Sequence, residues 1–244
     1  MVKQLSRGGI VLFDFNRTLQ DTVGYSNALN DLIKQLYPKH AEYTKSDQTR
    51  IETEGGSYDN LRALEKLIGQ RKLEILKTKF KDESSKLNRR FLNPGVTETL
   101  EALRKNKIAH AIITAGTLEG QNFQLEISQL DHIPHLIIHR RDKGSIMAEE
   151  QWTQSDGLIR VPTELAVDGS DVYLYALLVD DKAVAFQDMP AGKFIDGLPR
   201  GFWGNYYIDP RYEQLPSQKG RIPNNVTAVR SLLDICIPDQ SKAA

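Results

Sequence analysis

The sequence predicts an α/β protein: a Rossmann-like, doubly wound parallel sheet interrupted by a helical insertion. Two observations predict the sheet. Short, largely apolar runs recur along the chain at residues 10–13, 108–113, 135–139 and 172–179. Three of them end abruptly on polar residues: Asp14, Thr114 and the pair Asp180-Asp181. Runs of this kind suit strands buried on both faces, as in parallel sheets, and open α/β sheets bind ligands at the carboxyl ends of such strands. A third observation predicts the insertion. Residues 23–92 carry apolar residues at helical spacing and no strand-like run.

The elements follow in order. After the first strand and Asp14 comes a turn, and Thr18, Leu19, Asp21 and Thr22 read as the start of a helix. Residues 23–37 carry Leu29, Leu32, Ile33 and Leu36 on one face, and Pro38 ends the segment. Residues 58–68, beginning at Tyr58, repeat the pattern through Leu61, Leu64, Leu67 and Ile68. Residues 71–92 continue it through Leu73, Leu76, Phe80 and Leu87, and Gly55-Gly56 and Gly69 punctuate the series. This third segment is basic, with Lys77, Lys79, Lys81 and Arg89 among others, and reads as a solvated face. Asn93-Pro94-Gly95-Val96 opens a helix with Val96, Leu100 and Leu103 inward. A short helix is expected at residues 145–150, then a hairpin or irregular excursion around residues 158–169. Gly192, Gly197, Gly201 and Gly204 mark a loop-rich region that ends in a strand at residues 202–208. Residues 225–235, from Asn225, read as a closing helix with Val226, Val229, Leu232 and Leu233 inward.

Composition bounds the function. A chain of 244 residues can bury a full core. Lys plus Arg and Asp plus Glu are 32 each, so no charge imbalance calls for nucleic acid or an anionic membrane. A single cysteine, Cys236, excludes a disulfide framework and reads as a buried residue of the final helix. No apolar run reaches the length of a membrane span, and Asp14 interrupts the only amino-terminal one. His132, His135 and His139 lie close in sequence but read as strand and loop histidines rather than zinc ligands. A cytoplasmic protein is expected.

Asp14 and Thr18, with Thr114, then Lys143, then Asp180-Asp181, resemble in order the four motifs of the haloacid dehalogenase superfamily, the aspartate-nucleophile phosphatases and their relatives. The motif III lysine has little signature of its own; Lys143, beyond the third strand, is the best-placed candidate, while Lys182 stands very close to the acidic pair. The resemblance implies a core of residues 1–22 and 93–244 and a helical cap of residues 23–92 over the site. It implies that Asp14 is a nucleophile. Mg²⁺ would be held by Asp14, the carbonyl of Asn16, and Asp180 or Asp181. Thr114 would bind the phosphoryl oxygens, together with Thr18, Ala115 and Gly116, and Lys143 would neutralise charge and orient Asp14. The substrate would be a phosphorylated small molecule or a phosphoprotein.

One departure matters. The family's second motif I acid, which protonates the leaving group, is Asn16 here. An amide cannot exchange a proton in this way, and general acid–base catalysis is worth about 10²–10⁴-fold. A phenol leaves with a pKa of about 10, an alkyl alcohol nearer water's value of about 16. Asn16 therefore favours aryl phosphates, protein phosphotyrosine among them. Two other readings share the motifs: a hydrolase acting at a carbon centre, of dehalogenase or phosphonatase type, and a binding protein that keeps the fold without catalysis. The Asn16 motif with its helical cap also resembles bacterial effector phosphatases, which act in a host cytosol.

Overall fold

The computed structural model describes residues 8–40, 60–195, 198–207 and 226–235. The expectations at Gly55-Gly56, Tyr58, Gly197, Ile208, Asn225 and Cys236 lie outside the described residues.

The main strands are β1 (Gly9–Phe13), β2 (Ala109–Ala115), β3 (His135–Ile138), β6 (Tyr175–Asp180), β7 (Lys193–Ile195), β8 (Leu198–Tyr207) and β9 (Val226–Val229). They form one sheet in the order β3-β2-β1-β6-β8-β7, with β9 also paired to β8. Every pairing is parallel except β7 with β8. β4 (Ile159–Arg160) and β5 (Val172–Tyr173) make a separate antiparallel hairpin.

β1 lies inside the sheet, between β2 and β6, and its apolar side chains are fully buried. Val11 and Phe13 face one core and Ile10 and Leu12 the other, the period-two alternation of a strand covered on both sides. The first core is closed by α4 (Val96–Lys105) and α5 (Leu118–Ile127) through Val96, Leu103 and Leu125. The second is closed by α6 (Lys143–Glu149), through Met147, and by the hairpin, through Ile159 and Tyr173. The expected excursion is thus a small hairpin that covers a sheet face. It joins β6 at that strand's amino end, away from Asp14.

The inserted segment forms α1 (Thr22–Leu36), α2 (Asn60–Ile68) and α3 (Gln70–Lys86). Their inward faces make a third core, from Tyr25 and Leu29 through Leu64 to Leu76 and Phe80. Phe123 and Ile127 of α5 belong to the same cluster. The Phe80 ring stacks on Phe91 at 5.8 Å and lies 6.3 Å from Phe123. The basic face of α3 is not wholly solvated. Lys77 pairs with Glu119 of α5 at 3.0 Å, and Lys81 with Glu126. Among the described residues, no helix is long and apolar enough to cross a membrane.

The structure corrects four expectations. Residues 226–229 form strand β9, not part of a helix, and only a 3-10 turn follows at Leu232–Asp234. Val226 and Val229 lie in opposite cores. An i, i+3 pair shares one face of a helix but straddles a strand, and a sheet buried on both sides accepts either reading. The run at residues 172–179 is two strands, broken at Leu174, whose N–H turns back to Gly8 at 2.7 Å. α3 stops at Lys86, because Asn88 takes a left-handed conformation (φ 50°) that ends the helix. β8 starts at Leu198, well before Phe202, since its first residues pair with β7 as a hairpin.

Candidate active site

The carboxyl end of β1 delivers Asp14. Its N–H donates to the carbonyl of Val179 at 2.8 Å, which seats it beside the end of β6 and therefore beside Asp180. The chain then turns sharply. The amides of Leu19 and Gln20 both donate to the Phe15 carbonyl, at 2.9 and 2.8 Å, and Arg17 adopts φ 67°. This folds Thr18 back so that its hydroxyl donates to Asp14 Oδ2 at 3.4 Å. Asn93, where the inserted segment returns, braces the turn by donating from Nδ2 to the carbonyls of Arg17 (2.7 Å) and Thr18 (3.0 Å).

Lys143 comes from the amino end of α6 and is almost fully buried. Its ammonium donates to Asp14 Oδ1 and to Asp180 Oδ2. α6 can approach closely because residue 144 is glycine: a Cβ there would stand 2.4 Å from the Gln187 carbonyl oxygen. Asp180 Oδ1 accepts from the Lys182 N–H at 2.8 Å. Lys182 Nζ lies 3.3 Å from Asp181 Oδ1 as an ion pair, but among the described residues neither oxygen of Asp181 receives a hydrogen bond.

Burial dominates the electrostatics. It pushes the Asp180 carboxyl up to about 7, against the pull of Lys143, and it raises Asp181 as well. Burial works against the Lys143 ammonium, yet Asp14 and Asp180 outweigh it and its pKa is raised. Lys182 is raised despite burial, chiefly by Asp181. The site thus holds three carboxylates and two ammonium groups in an interior where an uncompensated charge is costly.

Asp14, Lys143 and Asp180 are bonded to one another, Thr18 is bonded to Asp14, and Asp181 adjoins them. Asn16 and Thr114 are brought together by a residue the sequence did not single out, Gln121 of α5. Its Oε1 accepts from Asn16 Nδ2 at 3.2 Å and from the Thr114 hydroxyl at 3.0 Å. Ala115 ends β2. The Gly116 N–H is spent on the Ile138 carbonyl, at 2.9 Å, so it is not a free donor for an anion. Lys182 also faces the carboxylates, so among the described residues two lysines, not one, meet them. Gln121 and Asn93 look like ordinary polar residues of a helix and a turn, and only long-range contact reveals them.

Asp14, Asp180 and Asp181 each offer a carboxylate oxygen within 4.8 Å of the others, all buried. The set fits a hard divalent cation. Mg²⁺ takes oxygen ligands, and the Asp181 carboxylate, paired with Lys182 but without a hydrogen bond, keeps lone pairs for one.

A parallel α/β sheet with its polar groups gathered along the carboxyl edge is the frame of a Rossmann-like enzyme. The family can be named: the family model described as Haloacid dehalogenase-like hydrolase matches residues 11–145, more than half the chain, and the chain belongs to that family. No protein of curated function matches it in sequence. Among solved structures it is similar to a haloacid dehalogenase-like hydrolase of Burkholderia xenovorans LB400. That likeness has a TM-score of 0.59 at 16% identity and covers 94% of this chain and 95% of the other. It is also similar to the magnesium-bound HAD-hydrolase YfnB of Bacillus subtilis, with a TM-score of 0.47 at 15% identity, covering 94% and 97%. A third is the L-2-haloacid dehalogenase of Xanthobacter autotrophicus, solved with covalently bound chloropropionic acid. Its TM-score is 0.47 at 15% identity, covering 92% and 95%.

Proposed function

We propose that this hydrolase is a Mg²⁺-dependent phosphatase that carries the phosphoryl group on Asp14 and favours aryl phosphates, phosphotyrosine among them. One observation carries the reading: a buried trio of carboxylates in which Asp181 has no hydrogen-bond donor. Asp14, Asp180 and Asp181, with the carbonyl of Asn16, would hold Mg²⁺. Bound there, the ion would supply positive charge to a phosphoryl group and its attacking carboxylate.

The chain's own residues do the rest. An Asp14 oxygen forms a bond to phosphorus as the ester P–O bond breaks, and the leaving oxygen keeps the electron pair. Lys143 fixes the Asp14 carboxylate and adds a second positive charge, and Thr18 orients the other oxygen. Asn16 offers no proton, so a phenolate departs and takes its proton from solvent. Water then attacks phosphorus, the bond to Asp14 breaks, and the carboxylate is restored with release of inorganic phosphate. The helices of residues 23–92 act as a cap that excludes bulk water and selects the substrate.

Beryllium fluoride with Mg²⁺ tests the reading. Crystals or ¹⁹F NMR should report one adduct, on Asp14, that Asp14→Asn abolishes. An adduct elsewhere, or none at saturating metal, sinks it. A second reading, a metal-free hydrolase acting at a carbon centre, draws on Lys143 and Lys182, which between them already pair with all three carboxylates. It predicts halide release from a 2-haloacid without Mg²⁺.

A further inference from the structure

Gln121 holds an unusual position. A carbonyl oxygen has two lone pairs, and both of those on Gln121 Oε1 are taken, one by Asn16 Nδ2 and one by the Thr114 hydroxyl. Thr114 is fully buried, and its hydroxyl has a single proton to give. As long as that proton goes to Gln121, Thr114 turns only lone pairs toward anything bound over Asp14. A phosphoryl oxygen has only lone pairs as well, so the resting arrangement opposes it.

The amide group of Gln121 can reverse this. Gly116 leaves it room: a Cβ at that position would lie 2.6 Å from Gln121 Nε2 and 2.8 Å from its Cγ. No group among the described residues accepts a hydrogen bond from Nε2. Turned by half a rotation, the amide would offer Nε2 to the Thr114 oxygen and, once the Asn16 amide turns with it, to Asn16 Oδ1. The Thr114 proton is then released toward the anion. With an anion present to take the Thr114 proton, the turned arrangement leaves no buried group orphaned; without one it strands that proton, which favours the resting arrangement in the empty site.

We propose that Gln121 is a positioning residue that sets the hydrogen-bond polarity of Thr114 and Asn16, and that anion binding turns its amide from acceptor to donor. The inference rests on the reading of the site as a phosphoryl site. It also gives Gly116 a role, as the residue whose missing side chain lets the amide sit and turn there.

The test is the affinity of the Mg²⁺-loaded protein for inorganic phosphate, measured by calorimetry, in five forms. Wild type should bind. Gln121→Glu can only accept when ionised, so Thr114 stays committed, and binding should weaken by about 10- to 100-fold, the worth of one hydrogen bond to a charged group. Gln121→Leu frees the Thr114 proton and should bind about as well as wild type. Some of the Glu effect is simple charge repulsion, and Thr114→Val isolates that part. In the Thr114→Val background, adding Gln121→Glu should cost clearly less than it does alone, a coupling that a double-mutant cycle reads directly. The ¹⁵N-labelled side-chain amide of Gln121 should also shift when phosphate is added to wild type. Equal losses from Glu and Leu, or no coupling to Thr114, overturn the switch and leave Gln121 as packing. If wild type itself fails to bind phosphate with Mg²⁺ present, the phosphoryl reading fails instead.

Discussion

Asp180 and Asp181 are sequence neighbours with opposite surroundings. Asp180 is held from two sides, by the Lys143 ammonium and by the Lys182 N–H, whereas Asp181 is equally buried, has only the Lys182 ion pair, and receives no hydrogen bond among the described residues. An unsatisfied buried polar group costs roughly 1–3 kcal/mol, more when charged. The protein keeps Asp181 in a place where it weakens the metal-free fold, and a bound cation would convert that cost into affinity.

Asp181→Asn should therefore separate stability from metal response. The metal-free variant should melt at or above the wild-type temperature. Wild type should gain about 2.7 kcal/mol at a Mg²⁺ concentration 100-fold above its Kd, roughly 5–10 °C for a chain of this size. The variant should lose most of that gain. Differential scanning fluorimetry with and without MgCl₂ reads both. A wild-type protein insensitive to Mg²⁺ counts against the ligand set.

The Mg²⁺ response should grow with pH. Burial raises Asp180 to about 7 and raises Asp181, above their ordinary carboxylate values. Groups raised on folding lend stability that is complete below their unfolded values and is lost as pH rises through the folded ones. The metal-free fold thus loses this contribution between about pH 4 and 7. Protons also compete with metal for the same oxygens. The Mg²⁺-induced rise in Tm should be larger at pH 8 than at pH 5.5; equal rises would mean that the metal binds elsewhere.

Asn16 should make the first step depend on the leaving group's own reactivity and should slow the second, in which water attacks the phosphoryl group on Asp14 without help from a neighbouring acid–base group. Para-nitrophenyl phosphate and phosphotyrosine should turn over, with a burst of phenol ahead of a slower steady state, while phosphoserine and sugar phosphates lag. Asn16→Asp should speed alkyl substrates by up to about 10²–10⁴-fold and flatten the dependence of kcat/KM on leaving-group pKa. Equal wild-type rates on aryl and alkyl phosphates would mean that another residue supplies the proton.

Lys143→Met should damage both fold and site. It leaves Asp14 and Asp180 facing each other without their shared cation. Breaking a buried ion pair from one side costs about 3–5 kcal/mol. Chemical denaturation should show a loss of that order, partly recovered by Mg²⁺, with no phosphoryl transfer. A loss under 1 kcal/mol would place the ammonium in solvent instead.

Replacing residues 24–92 with a short linker should leave a core that folds but tends to self-associate, because Phe123 and Ile127 lose the apolar cluster that covers them. Adding Phe123→Gln should restore a monomer by size-exclusion chromatography. A core that never folds would mean that the helices belong to it. Loss of the surface pairs Lys77–Glu119 and Lys81–Glu126 alone should cost little, about 0–1 kcal/mol each.

How legible these features were depended on how local their signals are. β1, β2 and β6 could be read from the sequence because each is a nearly unbroken apolar run with its candidate site residue directly at the end. Asp14, Thr114 and the acidic pair thus came with their elements. β9 was misread because its two buried valines, Val226 and Val229, lie three apart and face opposite cores, a spacing that equally fits one face of a helix. Lys143 needed the family pattern, since a lysine at a helix start is commonplace. Gln121 left no trace, because its partners lie 105 and 7 residues away and the helix that carries it shows only an ordinary mix of polar and apolar positions.

α5 has ten residues, and its two sides are committed to different tasks. Glu119, Phe123 and Glu126 meet α3, while Gln121 meets Asn16 and Thr114. So short a helix shifts as one rod. A lineage that moved the cap to admit a bulkier substrate would drag Gln121 with it and disturb the chemistry in the same stroke. On the proposed reading of the cap and of Gln121, substrate choice and chemistry are coupled through α5, and a change on one side of the helix calls for a compensating change on the other.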